Sequence, residues 1–277
     1  MPILHAIVLG LVQGLSEFLP ISSSGHLLLV PWLFGWNDFD GDPGVEKAFD
    51  VSLHIGTLVA AIVYFRADIV RYVGAGVRTL VRRERPIDTD GRVAWLLVLS
   101  SLPAAAVGAV FEDTIDEKLG TPTIIAISLI VFGVLLGVAD KAVGRRNVDG
   151  YRVRDAVIVG AAQALALNPG TSRSGITMTA ARQIGFDRDS AARLSFLMMI
   201  PVTAGAVGLK MVKLIADDIP DGLAVPMVVG IVTSGISGWL AVWGLLRLVR
   251  TRTFTPFVIY RVLLGVVVLG IVATGVR

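Results

Sequence analysis

Cysteine is absent from the 277 residues. Disulfide frameworks, thiolate metal sites and a cysteine nucleophile are therefore excluded. Histidine occurs three times, as His5, His26 and His54, which is too sparse for a multi-histidine zinc site. Charge is also scarce. Asp, Glu, Lys and Arg make up 17% of the chain, against roughly 25% in an ordinary soluble domain. Apolar residues fill the gap: 54% of the sequence is hydrophobic and the mean hydropathy is +0.75. This excludes a disordered chain and argues against a soluble globular enzyme. The net charge of +3 is small, and the charges sit in short blocks between apolar runs.

Those runs read as membrane spans. Residues 93–111, 122–139, 223–246 and 262–276 contain no Asp, Glu, Lys or Arg, and a span needs about 20 mostly apolar residues. The last run reaches that length when extended back to about Thr255, which takes in Arg261. Segments near 47–65 and 193–214 carry a few polar residues and bring the expected spans to six. No cleavable signal peptide is expected, because Met1-Pro2-Ile3-Leu4-His5 lacks a basic start and Glu17 interrupts the next apolar stretch.

Two further apolar stretches are broken. Residues 6–36 are interrupted by Pro20-Ile21-Ser22-Ser23-Ser24-Gly25, and residues 156–181 by Asn168-Pro169-Gly170-Thr171-Ser172-Arg173-Ser174-Gly175. Proline and glycine stop helices, and Ser/Asn clusters favour turns and caps. Each half is too short to cross about 30 Å of hydrocarbon. Broken helices at membrane depth are tolerated only inside protein or along a wet cavity, so both stretches are expected to be re-entrant hairpins. They also resemble each other. At an offset of 150, Gly10, Gln13, Leu15, Ser22, Ser24 and Gly25 match Gly160, Gln163, Leu165, Ser172, Ser174 and Gly175. Broken segments at corresponding places in a repeat point to a site near the bilayer midplane.

Loop charges give an orientation, since cytoplasmic loops are rich in Lys and Arg. Segment 66–92 has seven Arg, 141–154 has five basic residues, 185–193 has two and 247–254 has three Arg. Segment 37–46 has no basic residue, 112–121 has one Lys and 214–222 has none. The alternation predicts that the first hairpin enters from outside and the second from the cytoplasm. The expected fold is therefore an all-α integral membrane protein with an inverted-topology repeat, six transmembrane helices and two re-entrant helical hairpins. Its halves are 1–140 (hairpin 1–36 plus three spans) and 141–277 (hairpin 155–184 plus three spans), forming one integrated membrane domain.

Ionisable residues inside such segments are functional candidates. Residues 6–36 hold only Glu17 and His26, and residues 156–181 only Arg173. Gln13 and Glu17 share a helix face at four-residue spacing. Ser22, Ser23 and Ser24 offer hydroxyls, and Gly25 permits close backbone approach. Arg173 stands between Ser172 and Ser174 at the start of a half-helix. Helix N-termini favour anions, so two of them meeting around one Arg make an anion pocket. Glu17 and His26 add acid–base and metal-binding capacity. Plainer roles stand beside these: packing serines, a structural His26, or Arg173 as the ion partner of Glu17. His54 is left open, and His5 is read as interfacial.

Gln13-Gly14-Leu15-Ser16-Glu17-Phe18-Leu19-Pro20-Ile21-Ser22-Ser23-Ser24-Gly25-His26 resembles the N-terminal signature of the bacterial undecaprenyl-diphosphate phosphatases, the bacitracin-resistance proteins. Pro169-Gly170-Thr171-Ser172-Arg173-Ser174-Gly175 is similar to the second signature of that family. Gln13 stands where many members carry Glu. The resemblance implies hydrolysis of a C55 polyprenyl diphosphate to the monophosphate and inorganic phosphate. It also implies a divalent cation (Mg²⁺ or Ca²⁺), a bacterial inner (plasma) membrane location, and a site facing the outer side. In that setting Arg173 clamps phosphate and Glu17 holds the cation. Ser23 is the preferred nucleophile or orienting hydroxyl, and His26 the general base or acid. Direct water attack stays an equal option. Gln13, Ser22, Ser24, Gly25, Gly170, Thr171, Ser172, Ser174 and Gly175 are the expected substrate-binding residues. The partners are the lipid substrate and the membrane, with a homodimer left open and no nucleic acid. The alternatives are a secondary transporter or polyprenyl-phosphate flippase, and an intramembrane serine hydrolase that leaves Arg173 without a task.

Overall fold

Short polar residues and prolines set the starts of the long helices in the computed structural model, which describes residues 1–39, 42–82, 86–216 and 222–275, without the side chains of 43, 112–117 and 210–216. Asp42 caps α3 (Pro43–Tyr64), Asp88 caps α5 (Thr89–Leu119) and Thr121 caps α6 (Pro122–Asp140), each accepting a first-turn backbone N–H. With α9 (Arg188–Ala216), α10 (Ala224–Val249) and α11 (Thr255–Thr274), these are six helices long and apolar enough to cross a membrane. The shortest, with 19 residues, reaches about 28 Å at 1.5 Å per residue. Four fall on the charge-free runs, the last extended back past Arg261, and α3 and α9 fall on the two segments that carry a few polar residues. The chain is an all-α, multi-pass integral membrane protein.

One helix was not expected. α4 (Arg66–Val81) lies in the Arg-rich segment that reads as loop. Ile69, Tyr72, Ala75 and Gly76 recur at helical spacing and pack toward α5, while Arg66, Arg71 and Arg78 are exposed. The segment is an amphipathic helix whose basic face hides its apolar stripe. Parts of the segments used for orientation (40–41, 83–85 and 217–221) lie outside the described residues.

The two broken stretches form helix–turn–helix units. α1 (Ile3–Phe18) is followed by α2 (Ser23–Phe34), and α7 (Val153–Ala164) by α8 (Arg173–Gln183). The turns are twins. Ser22 has φ 81° and ψ 100°, and Ser172 has φ 72° and ψ 112°. They are the two non-glycine residues with positive φ among the described residues. Each hydroxyl accepts the N–H three residues on, from Gly25 and Gly175 respectively. Such backbone is rare for a residue with a side chain, and here it occurs twice, 150 positions apart.

Each unit is embedded in the other half of the chain. α1 packs on α10, and α7 packs on α5. The matched Gly10 and Gly160 allow this close approach: a Cβ on Gly10 would lie 2.6 Å from the Gly230 carbonyl oxygen, and one on Gly160 would lie 2.7 Å from that of Ser100. Both turns are thereby carried into the interior, where they meet beside a core containing Phe18, Phe65 and Phe196.

Candidate functional site

A cavity of about 230 Å³ lies where the turns meet. Glu17 at the end of α1, Ser22, Ser23 and Ser24 at the start of α2, and Ser172 and Arg173 at the start of α8 line it. α3 adds Val51 and His54, and α9 adds Val202, Thr203, Ala206 and Val207. The serines and Arg173 are there because the left-handed step at Ser22 and Ser172, a few residues after the first helix of each unit ends, opens the second helix at the very next residue.

Glu17 is the hub. Its side chain is 6% exposed. Arg173 donates from Nη2 to Oε1 at 3.1 Å and reaches Ser195 O through Nη1 at 2.8 Å. The Ser23 hydroxyl donates to Oε2 at 2.7 Å, and Gln13 Nε2 donates to the same oxygen at 3.2 Å. His54 Nε2 stands 3.7 Å from Oε2. His54 Nδ1 lies 2.9 Å from the Asp50 carbonyl. That carbonyl can only accept, so Nδ1 carries a proton and Nε2 faces the carboxylate. The arrangement joins a carboxylate bonded to a hydroxyl, a guanidinium from the other unit, and two helix N-termini that favour anions.

The remaining expected residues build the joint between the units. Ser22 Oγ accepts from Gly170 N at 3.1 Å, and Ser174 Oγ donates to Leu19 O at 3.0 Å. Gly170 has φ 90°, and a Cβ on it would lie 2.6 Å from Ile125 O, so only glycine fits. Gly25 lies against Gly170. Thr171 accepts from Asn168 Nδ2 at 3.0 Å, and Asn168 also donates to Ser128. Gly25, Gly170, Thr171, Ser174 and Gly175 are absent from the cavity wall. Gln13 lies buried behind Glu17.

His26, expected as the general acid or base, is also absent from the cavity wall. Its Nδ1 lies 2.6 Å from Ser22 O and its Nε2 lies 2.6 Å from the Tyr260 hydroxyl, with the two rings stacked. The ring faces Tyr260 of α11. The imidazole in the cavity is His54, which sequence reading left open. Thr203 was missed, since a threonine in an apolar run carries no signal. Arg261, which contacts both turns, was read only as a cost of extending a span, although it is the sole charge in that helix.

For a divalent cation, the donor set is narrow. No group of three or more acidic or His side chains able to hold a metal occurs among the described residues. Glu17 offers one carboxylate, and beside it Gln13 Oε1 is buried without a hydrogen-bond partner. One carboxylate with neutral oxygens suits an ion that takes most of its ligands from phosphate and water, as Mg²⁺ does.

The chain is similar to known proteins over nearly its whole length. The family model described as bacitracin resistance protein BacA matches residues 6–267. An undecaprenyl-diphosphatase of Pelobacter propionicus is 45% identical, covering 100% of this chain and 99% of its own. Those of Geobacter sulfurreducens, 48% identical over 98% of both chains, and of a Nocardioides species, 44% identical over 99% of this chain and 97% of its own, are similarly related. The chain belongs to the bacitracin resistance protein BacA family.

Proposed function

We propose that this protein hydrolyses undecaprenyl diphosphate to undecaprenyl phosphate and inorganic phosphate, recycling the lipid carrier for peptidoglycan synthesis and conferring bacitracin resistance. The observation that carries the reading is the meeting of Ser23, Glu17 and Arg173 in one cavity, with 2.7 Å from hydroxyl to carboxylate and 3.1 Å from carboxylate to guanidinium. The full-length undecaprenyl-diphosphatase relatives support it.

The chemistry follows from these side chains. Ser23 Oγ attacks the terminal phosphorus while its proton passes to Glu17. The bond from phosphorus to the bridging oxygen breaks, and the prenyl monophosphate leaves with the proton that Glu17 took from Ser23, so the carboxylate is free again. Water then attacks the phosphoseryl phosphorus and gives one proton to Glu17; the bond from phosphorus to Ser23 Oγ breaks, Glu17 returns that proton to Oγ, and phosphate departs. Arg173 exchanges its protein acceptors for phosphate oxygens, where its planar fork stabilises the charge of the transition state. The N-termini of α2 and α8 favour the same charge. A divalent cation (Mg²⁺ or Ca²⁺) would neutralise the diphosphate when bound, held by Glu17 with phosphate and water completing its shell. His26 holds the first turn in this account, and His54 polarises Glu17.

The two units are read as re-entrant hairpins of an inverted repeat, 1–140 and 141–277. The twin serine turns and the loop-charge alternation support that reading. The cavity then opens to the outer face of the bacterial plasma membrane. The decisive experiment is phosphate release from undecaprenyl diphosphate by purified protein in detergent, repeated in sealed, oriented vesicles with substrate on one face. Release in detergent is expected, and in vesicles only from the face opposite the Arg-rich loops. No release overturns the activity, and release only from the Arg-rich face overturns the sidedness.

A further inference from the structure

Arg261 lies in the second turn of α11 and is 0% exposed. All its hydrogen-bond acceptors among the described residues are backbone carbonyls, and they belong to three separate elements. Nε donates to Leu129 O of α6 at 3.2 Å. Nη1 donates to Pro20 O of the first turn at 3.2 Å. Nη2 donates to Gly170 O and Thr171 O of the second turn, both at 2.9 Å, with Ser128 O at 3.5 Å. A guanidinium carries donors in a fixed planar fork, so its shape sets how far apart these carbonyls can lie.

The neighbourhood is built around it. A Cβ on Gly175 would lie 2.8 Å from Nη1, and one on Gly133 would lie 3.1 Å from the Arg261 Cβ. The preceding residue, Tyr260, holds His26 of the first unit at 2.6 Å. One step of α11 therefore grips the first unit at Pro20 and His26 and the second at Gly170 and Thr171. Arg261 does not line the cavity. Yet Thr171 is two residues from Arg173, and Pro20 is three residues from Ser23.

Resting on the phosphatase reading above, we propose that Arg261 is a positioning residue for the reaction: its guanidinium, bonded to Pro20, Gly170 and Thr171, fixes the spacing between the turns and thereby aligns Arg173 with Ser23. A displacement of about 1 Å at a reacting group costs on the order of 100-fold in rate. Lysine keeps the charge but cannot span three carbonyl sets with one point donor.

The test is steady-state phosphate release from undecaprenyl diphosphate by Arg261→Lys, using protein that elutes as a single folded species. The kcat is expected to fall roughly 30- to 100-fold with KM within about twofold of wild type, because alignment matters at the transition state and not in ground-state binding. A kcat within about threefold of wild type, or a rise in KM at unchanged kcat, overturns the proposal. If Arg261→Lys does not fold, Gly175→Ala decides. It keeps the guanidinium and pushes it by one methyl, so kcat should drop about tenfold at unchanged KM, and a wild-type kcat overturns the inference. Wild-type protein that releases no phosphate overturns the phosphatase reading and this inference with it. An active wild type beside an equally active Arg261→Lys overturns this inference alone.

Discussion

At Ser22 and Ser172 the chain takes the same left-handed step, and the next residue is Ser23 in one unit and Arg173 in the other. The positions equivalent to Glu17 and His26 are Leu167 and Ile176. The frame is shared: a serine cap, a glycine three residues on, and a half-helix whose N-terminus faces the cavity. The chemistry is divided. The first unit carries the carboxylate and the hydroxyl, and the second carries the guanidinium. A strained residue of this kind costs about 1–3 kcal/mol, and the fold retains it in both places. The comparison teaches that two alike turns supply two anion-favouring helix starts, while the single side chains in which they differ decide what each brings to the cavity.

The sharpest way to break this division is Arg173→Lys. It keeps a charge at the second turn but removes the planar fork, so kcat is expected to fall about 100- to 1,000-fold. Initial rates of phosphate release check it, and near-wild-type turnover in folded protein would put the phosphate-binding charge elsewhere. Glu17→Gln, the corresponding change in the first unit, should cost about 100-fold. Part of that loss should return at high Mg²⁺ or Ca²⁺, because a lost carboxylate ligand weakens cation affinity. A metal titration that shows no recovery would confine Glu17 to proton transfer.

His26→Ala sharpens the comparison from the other side. Its ring bonds the first turn to Tyr260 and does not reach the cavity. A loss of about tenfold is expected, with unchanged metal dependence. A loss as deep as that of Glu17→Gln would restore His26 to the proton-transfer steps. The smallest contrast concerns the caps. Ser22 Oγ serves both Gly25 and Gly170, whereas Ser172 Oγ serves Gly175 alone among backbone donors. Ser172 Oγ also bonds Ser174 Oγ at 3.2 Å, but Ser174 keeps Leu19 O when Ser172 is cut, so Ser22→Gly, which takes the acceptor from the buried Gly170 N–H, should destabilise more than Ser172→Gly by about 1 kcal/mol. Thermal unfolding in a single detergent measures this, and equal melting temperatures would show that the cross-unit bond contributes nothing.

Four of the six spans were legible as charge-free runs, and the other two as apolar segments with few polar residues. α4 was not, because seven Arg in its segment masked the stripe of Ile69, Tyr72 and Gly76. Glu17 and Arg173 stood out as ionisable residues in broken apolar stretches, and the cavity brings them together. The direction of His26 was not legible. It follows from which side of α2 meets α11, and that is decided by tertiary packing. His54 lies 28 residues from the Ser22–His26 turn in sequence and enters the cavity only because α3 passes it. Arg261 shows the limit of treating every intramembrane charge as a penalty: its acceptors are backbone carbonyls, and no side-chain partner in the sequence announces them.

The central claim is that both units form one reacting site. A double-mutant cycle in kcat between Ser23→Ala and Arg173→Lys tests it most directly, since residues that act as a unit give strongly non-additive losses. The account predicts that the double variant is no more than about threefold slower than the slower single variant. Losses that multiply in full would mean that Ser23 and Arg173 act independently, and would contradict it.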